Sequence, residues 1–121
     1  MREEKKSIET LEPLFNAQSV AILGASENPY KIGHIQLKAL IDGKFGGAIY
    51  PINPKADVIA GLPCYPSIRE ITEPVDVAIL CVGANQIKDS LIECGQKGVK
   101  AAIIFASGFS EVGEEGAEQQ R

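Results

Sequence analysis

Cysteine is too sparse and too irregularly placed for a covalent scaffold. The three cysteines, Cys64, Cys81 and Cys94, are odd in number and show no C-x-x-C spacing. That excludes a disulfide framework and a closely spaced zinc site. They read as buried free thiols in a reducing compartment, the cytoplasm. No apolar run approaches the roughly 20 residues of a membrane span. The charged opening Met1–Lys6 is followed by no apolar stretch of the secretory kind. Positive charge is also short: 12 Lys and Arg stand against 16 Asp and Glu, for a net charge of −4 and a pI near 5.0. A general nucleic-acid binder carries a basic patch or a high pI, so neither nucleic acid nor membrane is expected as a partner. An anionic ligand would have to be held by a few local lysines and backbone N–H groups. Internal repeats and long linkers are absent as well.

What is present suits one soluble domain. The 121 residues are 45% hydrophobic and 23% charged, ordinary values for a chain with its own core. Residues 1–18 read as an N-terminal arm or short helix, with Ile8, Leu11, Leu14 and Phe15 near helical spacing and Pro13 as an interruption. Residues 19–110 hold the main pattern. Val20–Leu23 is a short apolar run ending at Gly24, the signature of a buried parallel strand. Ile32–Ile41 follows as a helix with Gly43 as its stop. Ala48–Ile52 is a second strand, and Pro51 puts it at an edge or at its own end. Leu62–Tyr65 suggests a short third strand, and Ser67–Glu70 has capping-box spacing and opens one helical turn. Val75–Val82 is the strongest strand signal. Ile87, Leu91, Ile92 and Cys94 mark a helix ending at Gly95 or Gly98, and Val99–Phe105 is a last strand. Residues 111–121 are acidic and read as the opening of a truncated helix or a tail. Strands alternating with helices predict an α/β fold with a Rossmann-like, doubly wound parallel sheet.

The most informative segment is Gly24–Gly33, the loop from first strand to first helix. Ligands of doubly wound sheets bind beyond the carboxyl ends of the strands, at the switch in strand order. Glycine there lets the backbone approach a phosphate, and the next helix offers free N–H groups and a positive dipole end. Ser26 can add a hydroxyl donor and Lys31 a charge. The spacing is neither G-x-G-x-x-G nor a G-K-[ST] P-loop. An ordinary βα turn using glycine for backbone reasons has the same composition. The end of the second strand, Tyr50-Pro-Ile-Asn-Pro-Lys55, lacks the carboxylate that binds the ribose of NAD. Lys55 would instead attract a phosphorylated ribose, as in coenzyme A or NADP; a solvated surface lysine is the plainer alternative.

In combination, Gly24-Ala-Ser26, Lys31-Ile-Gly33, Tyr50–Lys55, Glu73-Pro-Val-Asp76 and Ser107-Gly-Phe-Ser110 resemble the CoA-binding domain of NDP-forming acyl-CoA synthetases. These include the ADP-forming acetate–CoA ligases and, more distantly, the α subunit of succinyl-CoA synthetase. The resemblance runs over about residues 11–116. It implies that Gly24, Ala25, Ser26, Lys31, Ile32 and Gly33 hold the CoA phosphates. Asn53, Pro54 and Lys55 would lie beside the adenosine 3′-phosphate. Val82, Gly83, Ala84, Asn85 and Ile87 would flank adenine or pantetheine, and Ser107, Gly108 and Phe109 would sit near the thioester end. Ser107 departs from the acidic residue of the succinyl-CoA synthetases, where it supports a phosphohistidine; Gly108 is retained.

That family passes a phosphoryl group through a histidine and makes acyl-CoA and NDP from acid, CoA and NTP. The single histidine here, His34, opens the first helix and is not in a glycine-rich histidine loop. The resemblance therefore implies coenzyme A or acyl-CoA as ligand and the phosphohistidine and ATP-grasp domains as partners. It implies binding without turnover by this chain alone, with no catalytic residue and no metal ligand. Three other readings share some of these features: a CoA-binding regulatory domain of a protein acetyltransferase, a stand-alone CoA-binding protein and an NADP-dependent oxidoreductase. The irregular first loop counts against the last.

Overall fold

Val20, Ala21, Ile22 and Leu23 are all apolar because the strand they build is buried on both faces. The computed structural model describes residues 17–105. The arm expected over residues 1–18 lies outside them except for Ala17 and Gln18. Ser107, Gly108, Phe109 and residues 111–121 lie outside them too. Four parallel strands form the sheet: β1 (Ser19–Leu23), β2 (Ala48–Ile52), β5 (Val77–Leu80) and β6 (Ala101–Ile104), in the order β2-β1-β5-β6. A separate antiparallel hairpin joins β3 (Val58–Ile59) to β4 (Leu62–Pro63). Two helices complete the set, α1 (Ile32–Asp42) and α2 (Ile87–Lys97).

Side chains alternate across the sheet. Val20, Ile22, Val77 and Ile79 form one core with Leu37 of α1 and Ile59 of the hairpin. Ala21, Leu23, Ala78 and Leu80 form a second core with Cys94 of α2 and with Ile68 and Ile71. The helices thus cover opposite faces, and the doubly wound parallel sheet predicted from the alternation of elements is the observed one. No helix among the described residues is long and apolar enough to cross a membrane.

Both later strands are shorter than their apolar runs. Val75 and Asp76 are left out of β5 because side-chain bonds replace the ladder there. Ser19 Oγ donates to the Pro74 carbonyl at 3.0 Å and accepts the Asp76 N–H at 2.9 Å. Val99 is left out of β6 because its N–H closes the end of α2 on the Cys94 carbonyl, 3.0 Å away. Of the two glycines offered as the end of α2, Gly98 serves, with φ +88°. Helix α1 stops beside Gly43 as expected, but the left-handed residue that follows is Lys44, φ +58°. The Leu62–Tyr65 strand is corrected: only Leu62–Pro63 is extended, as half of the hairpin, and Tyr65 makes one isolated bridge to Ile52. Pro51 lies on β2, an edge strand, where its missing N–H costs no ladder bond. Ser67 Oγ accepts the Arg69 N–H at 3.1 Å and opens the single turn Ile68–Glu70.

The hairpin turn has an unusual occupant. Its two central residues, Ala60 and Gly61, both have positive φ, +52° and +81°, as a tight two-residue turn requires. A left-handed alanine pays a steric penalty that glycine avoids. Ala60→Gly is therefore expected to raise unfolding stability by about 0.5–1 kcal/mol after the entropy of glycine is set against the relief. A shift of the urea midpoint at unchanged slope checks it.

Candidate functional site

Strand β1 turns to β2 on one side, and the chain later returns to β5 on the other. The carboxyl ends of β1 and β5 therefore border the switch point, where ligands of such sheets bind. Gly24 follows β1 with φ +92°. A Cβ on it would fall 2.1 Å from the Cys81 carbonyl oxygen at the end of β5. A Cβ on Gly33, in the first turn of α1, would fall 1.9 Å from the Gly24 carbonyl oxygen. Two glycines nine positions apart thus do one job: they let strand end, neighbouring strand and helix start touch through their backbones. The ladder continues into the loop, since the Gly24 and Ala25 amides both donate to the Ile52 carbonyl, at 3.1 and 3.2 Å.

The loop holds its own shape. Ser26 Oγ accepts the Asn28 N–H at 2.9 Å, Asn28 Oδ1 accepts the Tyr30 N–H at 3.0 Å, and the Asn28 carbonyl accepts the Lys31 N–H at 3.0 Å. Polar side chains two residues apart that bond forward to the backbone are the signature of such turns. His34 ties the loop to the helix: its Nδ1 is 2.9 Å from the Ser26 carbonyl, which can only accept, so Nδ1 carries the proton. From β2, Asn53 Nδ2 donates to the Ala25 carbonyl at 2.9 Å while Asn53 Oδ1 accepts the Lys55 N–H at 2.8 Å. Glu27 reaches outward, and its Oε2 accepts the Ala60 N–H of the hairpin turn at 3.1 Å.

These elements enclose a cleft of about 680 Å³. Of the residues expected to bind ligand, Gly24, Ala25, Ser26, Lys31, Ile32, Gly33, Asn53, Val82 and Gly83 line it. Pro54 instead lines an adjoining cleft on the α2 side. Lys55 is exposed at the rim of β2, Ala84 and Asn85 form a single turn with Gln86 ahead of α2, and Ile87 packs against the core under α2. Asn28, Tyr30, Cys81 and Gln86 also line the main cleft and were not expected there. The Ser26-x-Asn28-x-Tyr30 spacing carried a readable signal for the first two; Cys81 and Gln86 enter only through strand order.

Among the described residues, Lys31 is the one charged residue in the cleft lining, and it is positive. It also stands as the N-cap of α1, with no side chain closing the helix end. The amides of Ile32 and Gly33, which line the cleft, consequently have no intrahelical acceptor, while those of His34 and Ile35 bond to the Lys31 carbonyl at 3.0 and 3.1 Å. Lysine, open amides and two glycines without side chains make a cradle of the size and sign of a phosphate group. The half-buried Cys81 thiol is pushed up to about 11 by burial, so it is neutral at physiological pH. No group of three or more metal-ligating side chains occurs among the described residues.

A family model described as a CoA binding domain matches residues 18–121. The chain belongs to that family. This CoA-binding domain is 48% identical over 115 residues to acetate–CoA ligase [ADP-forming] II of Archaeoglobus fulgidus, covering 95% of this chain and 17% of that protein. It is 47% identical to the α subunit of acetate–CoA ligase [ADP-forming] I of Pyrococcus furiosus, covering 92% of this chain and 25% of that one. The structure superposes with a TM-score of 0.78 and 44% identity on the dinucleotide-forming acetyl-coenzyme A synthetase 1 of Ca. Korarchaeum cryptofilum in complex with phosphate and ADP. That match covers 91% of this chain and 24% of the other. The chain thus spans a quarter or less of the length of these relatives. They are ligases, which favours the acyl-CoA synthetase reading over a protein acetyltransferase.

Gly33→Ala in this CoA-binding domain is expected to force α1 off the loop and lower stability by about 1–3 kcal/mol, the usual cost of overpacking. Chemical denaturation checks the loss. Burial also pushes Cys94 up to about 11. Both thiols titrate higher folded than unfolded, so the folded state keeps protons that the unfolded state has released. The contribution of these two thiols to stability should be constant below pH 9 and fall between pH 9 and 11. Urea midpoints across that range, compared with a Cys94→Ala variant that shows a shallower fall, test this.

Proposed function

We propose that the cleft binds coenzyme A, as the CoA-binding domain of an ADP-forming acyl-CoA synthetase. The carrying observation is the uncapped start of α1 pressed against Gly24, with Lys31 as the sole charge among the described residues of the cleft lining. In this reading the diphosphate lies over Gly24, Ala25 and Ser26, on the open amides of Ile32 and Gly33, with Lys31 as counter-charge. Asn53 and Pro54 place Lys55 beside the ribose 3′-phosphate. Val82, Gly83, Ala84, Asn85 and Ile87 flank the uncharged parts of the ligand, and Ser107, Gly108 and Phe109 approach its thiol end. The NADP reading has less support: a hydride-transfer site needs groups to orient a second ring, and none converge here.

The parent reaction in this reading joins acid, coenzyme A and a nucleoside triphosphate to give acyl-CoA, nucleoside diphosphate and phosphate. The residues here supply nucleotide-type binding only. His34 Nδ1 donates to the Ser26 carbonyl, so this ring fastens the loop to α1, and it stands outside any glycine-rich histidine loop. A phosphohistidine domain and an ATP-grasp domain are the partners that the chemistry requires. Three free thiols suit a cytoplasmic setting.

Calorimetric titration tests the proposal. Coenzyme A should bind the 121-residue chain, and NAD should not. Removing the 3′-phosphate, or replacing Lys55→Ala, should each weaken binding about fivefold, the scale of an exposed ion pair. Combined, they should cost little more than either alone. Binding of NADP without coenzyme A would overturn the reading.

A further inference from the structure

Three consecutive residues of the ligand loop each have an oxygen fastened by a donor from a different element. The Ala25 carbonyl accepts from Asn53 Nδ2, beyond the end of β2, at 2.9 Å. The Ser26 carbonyl accepts from His34 Nδ1, in the first turn of α1, at 2.9 Å. The Glu27 carboxylate accepts the Ala60 N–H, in the turn of the hairpin, at 3.1 Å. Ala25 and Ser26 line the main cleft, and a carbonyl of either turned into it would set a negative dipole end against an anion. Within a trans peptide the C=O and N–H point in opposite directions. Fastening the Ala25 carbonyl to Asn53 thus turns the Ser26 N–H the other way, where it has no partner among the described residues. Of the three donors, only the one on His34 belongs to a group whose proton has a second place to sit. A neutral imidazole carries its proton on either nitrogen, and a bond to a carbonyl requires it on Nδ1.

We propose that His34 is a positioning residue for phosphate recognition, whose Nδ1–H holds the Ser26 carbonyl out of the anion cradle. The proposal rests on the coenzyme A reading above and adds to it a residue outside the cleft lining that sets affinity for the diphosphate. The His34 ring is half-buried and does not line the cleft, so it acts on the ligand through Ser26. The loop's own turn bonds use the Ser26 hydroxyl and the Asn28 side chain, and among the described residues His34 alone donates to the Ser26 carbonyl. With that bond cut, the Ser26–Glu27 peptide is free to rotate. Its oxygen would then compete with the ligand for the space beside the open amides of Ile32 and Gly33. The requirement is for a donor at one place, not for an imidazole. Asparagine carries an N–H donor at the δ position, where Nδ1 stands, and glutamine carries one at the ε position, where Nε2 stands.

Coenzyme A and dephospho-coenzyme A, which lacks only the 3′-phosphate, are titrated calorimetrically against the 121-residue chain and its H34N, H34Q and H34A variants. H34Q and H34A should each weaken coenzyme A about fivefold, the scale of one hydrogen bond. H34N should stay within about twofold of the parent chain, because it keeps that bond. The losses should be as large on dephospho-coenzyme A, since both ligands carry the diphosphate and separate contacts add. His34 is the single histidine of the chain, so nitrogen NMR reads its ring without any substitution. In mildly alkaline solution, where an ordinary imidazole is neutral, the proton should sit on Nδ1. A proton on Nε2 overturns the tether, and this readout stands even if a variant fails to fold. Equal losses in H34N and H34Q overturn it too, since they would report the lost ring and not the lost donor. Unchanged affinity in H34Q and H34A overturns the role in recognition. A loss seen with coenzyme A and absent with dephospho-coenzyme A overturns the placement at the diphosphate. Failure of the parent chain to bind either ligand overturns the underlying reading and this one with it.

Discussion

Everything at the carboxyl edge of the sheet depends on the contact between Gly33 and the Gly24 carbonyl. A Cβ on Gly33 would fall 1.9 Å from that oxygen, far inside contact distance. The contact aims the first turn of α1 at the end of β1 and brings Lys31 over the cleft. Gly24 faces the same constraint on its other side, against Cys81. Dinucleotide folds achieve this arrangement with closely spaced glycines. Here eight residues intervene, and the stretch from Ser26 to Lys31 is held by its own hydrogen bonds. A longer loop therefore performs the same geometric task without the familiar spacing.

The contact holds because the sheet beneath it cannot shift. β1 pairs with β2 on one side and β5 on the other over nearly its whole length. Each of its residues is locked into one of two cores, and a slip by one residue would exchange the cores' contents. Small residues on one face, Ala21 and Ala78, sit across from larger ones in the second core, where Ile68 and Ile71 fill the space under α2. At the opposite end of the sheet Ser19 and Asp76 fasten β1 to the approach of β5, and Asp76 accepts the Gln18 amide at 2.8 Å. The functional end is open and the far end is tied down, as a site built on rigid elements requires.

Much of this was legible from residue order. Apolar runs located all four strands of the sheet, and the alternation of elements led to its parallel, doubly wound form. Nine of the expected site residues line one cleft because they follow directly from the ends of β1, β2 and β5. The hairpin was harder to read. Ala60 occupies a left-handed position that composition rules assign to Asn or Gly, so Val58–Ile59 gave no turn signal and Leu62–Tyr65 looked like an independent strand. Strand ends were overextended at Val75 and Val99 because hydropathy does not register that Ser19 and the end of α2 claim those backbone groups. Leu91 and Ile92, which mark α2 as a helix in the sequence, are 40% and 47% exposed, whereas Cys94 of the same set is buried.

The missing N-cap of α1 has a consequence beyond recognition. Most helices satisfy their first amides with a serine, threonine or aspartate side chain, and losing one costs about 1 kcal/mol. Lys31 cannot accept a hydrogen bond, so the domain leaves this end unfinished. In the proposed reading a bound anion would complete it, and the ligand would become part of the folded architecture. Under mass action, free ligand at a hundred times its dissociation constant adds about 2.7 kcal/mol to stability. Under the proposed reading, the lifetime of such a domain against unfolding and proteolysis would follow the supply of its coenzyme through this one unfinished helix end.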